Sequence, residues 1–273
     1  GNLSQVSLDA IKSEADKLGL PVAKHGPHAS DMSRWDTLLG YQTLEHVEDI
    51  LQGPMQRKRD DNELKRVVSE LKKINVPISS TLSIYWQLTQ LSAKKDAFLE
   101  TINQDYISSI IALEESHNQV KRWLDADQGT AQHNVETMAF LKHITKALYD
   151  AGVPLVVGSD AGVLLSPLGL ATHTEMRLMA EAGVPSLTVL QAATVNAAEA
   201  LNENKRGRVL SGYIADLVLY DFNPLYNIEN LSYPSGLIKS GVYFEQEDLT
   251  QLREMAIENR SLWQEMGTLY EAL

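Results

Sequence analysis

Three side chains of the kinds that bind divalent metals each stand at the end of a short apolar or strand-like segment. Asp160 follows the apolar run 155–159, while His25 and His46 close two strand-like runs nearer the start of the chain. In folds that alternate strands and helices, the carboxyl ends of parallel strands meet at one edge, where metal ligands and general bases lie. Imidazole nitrogen and carboxylate oxygen both suit a zinc-type ion. The three residues are therefore a candidate ligand set for one divalent metal.

The alternation of periods along the chain predicts the elements that would position these residues. Apolar residues recur at helical spacing over 62–75 and again shortly before residue 155, and each predicted helix leads into a strand-like run. Four such helix–strand units form either a half-barrel or an open parallel sheet, and the periodicity leaves that choice open. The predicted strands are 21–25, 41–46, 77–84 and 154–159.

A long helical insertion, 86–126, separates the third and fourth predicted strands. It follows the carboxyl end of a strand, so it either covers the active face as a lid or packs on the flank. After residue 205 the pattern changes from helices to strands. We therefore predict a partial barrel domain over 1–205, strands of a small β-domain over 206–245, and a C-terminal helix over 246–273.

Five segments of the chain resemble the amidohydrolase superfamily, and specifically its imidazolonepropionase-like and prolidase-like branch of metal-dependent hydrolases. Residues 17–25 resemble the family's helix into the fifth strand, residues 44–46 its sixth-strand histidine, and residues 158–160 its eighth-strand aspartate. Residues 172–198 are the most family-like stretch, and residues 212–221 resemble a strand of the family's small β-domain.

The resemblance implies a fold, a reaction and a set of residue roles. The fold is α/β: the C-terminal half of a TIM (β/α)8 barrel of amidohydrolase type, with a C-terminal piece of the small β-sandwich domain. The reaction is metal-dependent hydrolysis of a C–N bond in a small amide, cyclic amide or dipeptide. By resemblance, Asp160 is a metal ligand and the general acid/base, and His25 and His46 are metal ligands. The implied cofactor is a divalent metal, zinc being favoured.

One departure from the family pattern concerns the N-terminal half of the barrel. Family members carry a His-x-His pair after the first strand and a bridging lysine or glutamate after the fourth, and neither can be placed in this chain. We therefore expect a C-terminal portion that lacks the first four barrel strands. The complete enzyme would hold one or two ions, whereas the isolated chain would bind metal weakly or not at all and have low activity.

Two further histidines are candidate substrate contacts. His28 lies in a loop shortly after His25, and His173 follows Asp160 by a short segment. The alternative for both is structural: His28 is then a surface loop residue and His173 caps the helix near residue 172. No base is visible for a serine nucleophile, so a serine-type triad has little support.

Composition narrows the classes of partner. The 273 residues carry a formal net charge of -12, which argues against nucleic acid and anionic membranes as partners. The absence of cysteine excludes disulfides, thiolate metal ligands and a cysteine nucleophile. No apolar run reaches the roughly 20 residues that cross a bilayer. The partner expected is a small-molecule amide or dipeptide, and cytoplasm and periplasm are equally compatible with the sequence.

Two alternatives of another class remain at this stage. A metal-free scaffold or oligomerisation protein could be built on the same fold, and an upstream His-x-His pair in the parent gene would favour the enzyme over it. A phosphate or nucleotide binder is disfavoured, since residues 158–162 match neither dinucleotide-binding nor P-loop spacing. The open edges of a half-barrel would invite pairing, which makes a homo-oligomer a further hypothesis.

Overall fold

The computed structural model describes residues 4–25, 35–258 and 262–272. The chain divides into two compact units, each assembled from three separate segments. No helix in these ranges combines the length and the apolar character that crossing a membrane requires. Unit 1 consists of Gly1–Leu82, Ala139–Gly158 and Leu178–Arg208, and unit 2 consists of Ser83–Met138, Ser159–Arg177 and Val209–Leu273.

Unit 1 contains a parallel sheet of four short strands that lie side by side in chain order. Ala23 pairs with Thr43, Leu44 with Ile78, and Ile78 in turn with Leu155, so neighbouring strands run parallel and the β1–β2 pairing begins one residue earlier than the other two. Their carboxyl ends consequently lie along one edge. The strands are β1 Ala23–Lys24, β2 Thr43–Glu45, β3 Ile78–Ser79 and β4 Leu155–Val156.

Thirteen α-helices are assigned within the described residues. Three short 3-10 helices accompany them at Trp35–Leu38, Gln104–Tyr106 and Ile228–Ser232. The α-helices are α1 Gln5–Leu18, α2 Val47–Gln52, α3 Asp61–Ile74, α4 Leu82–Lys94, α5 Asp96–Leu99, α6 Ser109–His117, α7 Gln119–Leu124, α8 Gln128–Ala151, α9 Leu170–Glu181, α10 Ser186–Ala193, α11 Val195–Ala200, α12 Gln246–Glu258 and α13 Leu262–Ala272.

Helix α3 shows how the sequence determines an element of unit 1. The Asp60 side chain caps its start by accepting the Glu63 N–H at 2.8 Å, and Asn75 ends it in the left-handed region. Its apolar residues at helical spacing are all buried, which anchors one face in the core. The helix matches the predicted range 62–75 within one residue at each end. Those buried residues are Leu64, Val67, Val68 and Leu71.

The strands are shorter than the sequence predicted. The predicted strand 77–84 holds only β3, because α4 already begins at Leu82. The predicted strand 154–159 holds only β4, which ends at Val156. Asp160 therefore lies in a loop four positions after the strand, with a positive φ of 49°.

Unit 2 contains a three-stranded antiparallel sheet of β5 Leu217–Leu219, β6 Gly236–Lys239 and β7 Val242–Phe244. Strands β6 and β7 form an antiparallel hairpin within the predicted β-region 206–245. Ser240 and Gly241 both have positive φ, 51° and 84°, and this pair makes the two-residue turn between β6 and β7. The predicted helix from 246 is described as α12 and α13, with residues 259–261 outside the described ranges.

The core of unit 2 is formed by helices and by one loop. Buried side chains of α4, α5 and α7 pack with Leu164 and Leu165, which come from the loop that follows Asp160. This loop is therefore part of the hydrophobic core rather than a solvated connection. The buried members of this cluster are Leu91, Phe98, Ile107, Val120, Leu164 and Leu165.

Close contact between the ends of β3 and β4 predicts the effect of a change at Gly158. A Cβ there would clash with Ser79 Oγ but would lie 3.6 Å from Ser79 Cβ, an ordinary contact. We expect Gly158→Ala to lower the free energy of unfolding by about 1–3 kcal/mol through overpacking. In a Ser79→Ala background most of that loss should disappear, and urea denaturation of all four chains measures the coupling.

The matched control is Gly129→Ala in helix α8, where the added Cβ meets Asp127 at an ordinary 3.6 Å. That change should be neutral or stabilising, because alanine suits a helix better than glycine. A Gly158→Ala loss that is the same with and without the Ser79 hydroxyl would contradict the steric explanation.

Candidate functional site

The two predicted histidine ligands lie next to each other at the carboxyl end of the parallel sheet in unit 1. His25 follows β1 and His46 follows β2, and these strands are paired neighbours. The two imidazole rings are in edge-to-face contact, with centroids 4.4 Å apart and planes inclined by 66°. The structure thus brings together two residues that are 21 positions apart in sequence.

The hydrogen bonds of His46 assign its tautomer. Its Nδ1 lies 2.6 Å from the hydroxyl oxygen of Thr81, and that hydroxyl donates its single proton to the Ser80 carbonyl at 2.8 Å. The Thr81 oxygen must then accept from His46, so Nδ1 carries the ring proton. Nε2 is the nitrogen with a lone pair for a metal. This is the usual arrangement around metal-binding histidines.

His25 has the same arrangement with a carboxylate as its partner. Its Nδ1 lies 3.3 Å from Oδ2 of Asp49, which stands in the first turn of α2. A carboxylate beside Nδ1 favours the tautomer that carries the proton on that nitrogen and the lone pair on Nε2. The His25 side chain is 69% exposed whereas that of Asp49 is 13% exposed, so the carboxylate is largely buried and the imidazole is accessible.

Charged groups are partly buried around the histidine pair. Lys24, next to His25, is only 7% exposed; burial lowers its pKa and the nearby Asp49 carboxylate opposes that shift. Burial also raises the pKa of Glu48, against a hydrogen bond from Gln52 that lowers it. Glu45 accepts a hydrogen bond from Thr43. This edge of unit 1 therefore carries both acidic and basic side chains.

Asp160 belongs to unit 2, where a hydrogen bond from helix α4 fixes the peptide group directly before it. The carbonyl of the preceding residue, Ser159, accepts a 2.8 Å hydrogen bond from the Ser83 hydroxyl of α4. The hydroxyl groups of Thr172 and Ser159 are 3.5 Å apart. The Asp160 side chain is exposed. Within the described residues, no cluster of three His, Asp or Glu side chains could hold a metal ion. The full ligand set of His25, His46 and Asp160 stays a prediction.

The sequence reasoning missed the role of Glu175 in this part of unit 2. Its side chain is fully buried, and its Oε2 accepts the Ser83 backbone N–H at 2.6 Å. Ser83 therefore bridges a buried carboxylate and the carbonyl before Asp160. A signal was present in the sequence, since an acid at position 175 interrupts the apolar face of a predicted helix, and such an acid is rarely buried without a structural purpose.

Of the two histidines predicted to contact the substrate, only one lies within the described residues. His28 falls outside the described residues. His173 lies in α9, with Nδ1 3.3 Å from the Ser232 hydroxyl oxygen. Burial lowers the pKa of His173, and the Glu229 carboxylate partly opposes the shift, which favours a neutral imidazole at physiological pH. Its role as a substrate contact stays a prediction.

The sequence of this chain matches a known family and a known enzyme. The sequence model of the Amidohydrolase family matches residues 2–244. Over 137 residues the chain is 30% identical to adenine deaminase 2 of Desulfotalea psychrophila; the match covers 49% of this chain and 23% of that protein.

Solved structures resemble the chain over most of its length. Bottromycin amidohydrolase matches with a TM-score of 0.72 at 22% identity, covering 92% of this chain and 56% of that one. A Xaa-Pro dipeptidase with methionine bound in its active site matches with a TM-score of 0.59 at 22% identity, covering 89% and 49%. The likeness supports a mixed α/β fold with a parallel sheet of the amidohydrolase type. The chain spans about half the length of these structures and about a quarter of the deaminase.

The buried position of Glu175 predicts a specific stability loss. Glu175→Ala leaves the buried Ser83 N–H without this acceptor, so we expect the free energy of unfolding to fall by about 1–3 kcal/mol. The control is Glu181→Ala in the same helix, which removes a partly exposed ion pair with Lys142 and should cost less than about 1 kcal/mol. Urea denaturation followed by circular dichroism measures both, and equal losses would contradict a special role for Glu175.

Proposed function

Because the chain belongs to the amidohydrolase family, we propose that it supplies metal ligands and the general acid/base for hydrolysis of a C–N bond in a small amide, cyclic amide or dipeptide. The observation that carries the proposal is the histidine pair at the end of the parallel sheet. Two imidazoles follow adjacent strands. Thr81 lies beside Nδ1 of His46 and the Asp49 carboxylate beside Nδ1 of His25, and both neighbours favour the tautomer that metal binding needs. The named relatives support the same chemistry, since a deaminase and a dipeptidase both act on C–N bonds.

The donor set fits a zinc-type ion. Neutral imidazole nitrogen and carboxylate oxygen are both common zinc ligands, and the chain has no cysteine to compete with them. His25, His46 and Asp160 are the residues that would hold the ion. When bound, such an ion supplies Lewis-acid chemistry that makes a water molecule acidic near neutral pH.

Asp160 would move the proton in this reaction. Its carboxylate accepts a proton from the attacking water while the new C–O bond forms at the substrate carbonyl carbon. The C–N bond then breaks, and Asp160 passes the same proton to the leaving nitrogen. Ser83 and Glu175 would act as positioning residues, because they fix the carbonyl of the residue directly before Asp160. His173 and His28 remain candidate substrate contacts.

The architecture that we propose for this function is the C-terminal half of a TIM barrel. The four parallel strands of unit 1, each followed or preceded by helices, are consistent with half of an eight-stranded β/α unit. The antiparallel sheet β5–β7 would be a piece of the family's small β-sandwich domain.

Metal uptake is the first test of this function. We expect the chain to take up zinc weakly, and His46→Ala to weaken that uptake at least about tenfold, since it removes one of few ligands. Titration calorimetry and elemental analysis of the chain after zinc loading give the affinity and the stoichiometry. His143→Ala is the matched control, because His143 is exposed and paired with Asp61 outside the histidine pair. Equal zinc uptake by the two variants would contradict ligation by His46, and no uptake by the unchanged chain would favour the metal-free scaffold.

Turnover tests the role of Asp160. In the presence of zinc, release of free amine from a panel of dipeptides and N-acyl amides should be slow but above the protein-free rate. Asp160→Asn should lower that rate by about 10²–10⁴, the usual contribution of a general acid/base. Asp150→Asn, which affects an exposed carboxylate paired with Lys146, should leave it unchanged. A rate that Asp160→Asn does not alter would rule out the proton-transfer role.

A further inference from the structure

Unit 2 contains a cavity of about 180 Å³ beside the loop that carries Asp160. Its floor is made of buried side chains and its rim includes the exposed Leu170, so it opens to solvent. We call it the aromatic pocket. Lining residues from α4, α5 and α9 include Ser83, Trp86, Gln87, Phe98, Leu170 and Ala171.

Two aromatic rings form one wall of the aromatic pocket. Trp86 and Phe98 meet edge to face, with centroids 5.5 Å apart and planes inclined by 89°. Arg177 lies over the Trp86 ring at 5.2 Å and also pairs with Glu229. The indole is therefore held in place by neighbours on two sides, which makes the wall a preformed surface for another ring.

The polar groups of the pocket are largely committed to the protein itself. The Ser83 hydroxyl donates to the Ser159 carbonyl at 2.8 Å, and the Gln87 amide donates to the Leu164 carbonyl at 2.9 Å. The Thr101 hydroxyl donates to the Phe98 carbonyl at 2.7 Å. No charged side chain is among the described residues that line the cavity. The nearby Arg177 guanidinium is already paired with Glu229. A charged ligand group would therefore be desolvated here without a counter-charge in the lining, which favours an uncharged, apolar group.

The size of the pocket indicates which apolar group fits. A closed apolar cavity of about 150 Å³ is known to hold one benzene molecule. The aromatic pocket is slightly larger and has an aromatic wall, so a phenyl-sized ring fits it. Its floor residue Ser83 is hydrogen-bonded to the peptide directly before Asp160, which places the pocket beside the proposed acid/base.

We propose that the aromatic pocket binds an uncharged aromatic side group of the substrate and so selects amides that carry one. The inference rests on the proposed function for its identification of the ligand as a substrate. The binding preference itself follows from the pocket alone, so the two can be tested separately.

The experiment compares the affinities of three N-acetyl amides, two neutral and one charged, that differ only in the side group. N-acetyl-L-phenylalaninamide should bind at least about tenfold more tightly than N-acetyl-L-alaninamide, because its ring leaves water on binding. N-acetyl-L-lysinamide should bind no better than the alanine compound. NMR titration of the full chain gives the affinities, and intermolecular NOEs should connect the phenyl protons with the rings of Trp86 and Phe98.

Two Ala→Leu substitutions in unit 2 form the matched pair. Ala171→Leu adds a side chain to the floor and should abolish the preference for the phenyl compound, whereas Ala256→Leu on the exposed face of α12 should preserve it. If Ala171→Leu does not fold, the NOE contacts in the unchanged chain decide the question. Equal affinities for the three amides, or phenyl contacts elsewhere on the chain, would overturn the proposal.

Turnover separates this inference from the proposed function. Phenyl preference without any hydrolysis would leave the pocket standing and contradict the enzymatic role. Hydrolysis that depends on Asp160 but shows no phenyl preference would contradict the pocket and leave the enzyme standing.

Discussion

The structure of unit 1 depends on parallel pairing between neighbouring strands. There are four of these strands, and each is only two or three residues long. Such strands form few ladder hydrogen bonds, so burial of the flanking helices must provide most of the stability. The pairing also determines where side chains of different segments meet. The residues that follow β1 and β2 come to one edge, which is why the His25 and His46 rings are in contact. At the ends of β3 and β4, a side chain at position 158 would meet the Ser79 hydroxyl, which is why glycine suits this position.

Backbone conformation at these strand ends is unusual for the residues that occupy it. His46, Thr81 and Asp160 all have positive φ, at 65°, 48° and 49°. This region is unfavourable for residues with a Cβ, and most of all for a β-branched residue such as threonine. Such conformations persist where other contacts enforce them. For Thr81 the hydrogen bonds to His46 and to the Ser80 carbonyl do so, and the strained residue is the one that orients the proposed ligand.

The sequence predicted those features that follow from strong periodicity or from strand ends. Helix α3 was found because apolar residues on one face alternate with charges on the other, and the histidine pair because both follow strand-like runs. Strand lengths were overestimated, since residues 78–85 mix apolar and hydroxyl side chains and have no period that separates strand from helix. The hydrogen bond between Glu175 and Ser83 joins residues 92 positions apart, and no local pattern encodes such a pairing.

Helix α4 links the proposed acid/base with the proposed specificity pocket. Ser83 and Gln87 are four positions apart and so share one face of the helix. Ser83 donates to the carbonyl directly before Asp160, and Gln87 donates to the Leu164 carbonyl in the loop that follows it. The same loop places Leu164 and Leu165, each with positive φ, in the core of unit 2. Trp86, between these two residues on the helix, forms the wall of the aromatic pocket. Because the same helix supports the loop and builds the pocket, a shift of α4 would change the position of Asp160 and the shape of the pocket together. The proposed substrate selection and the proposed proton transfer would therefore be coupled through the packing of one helix.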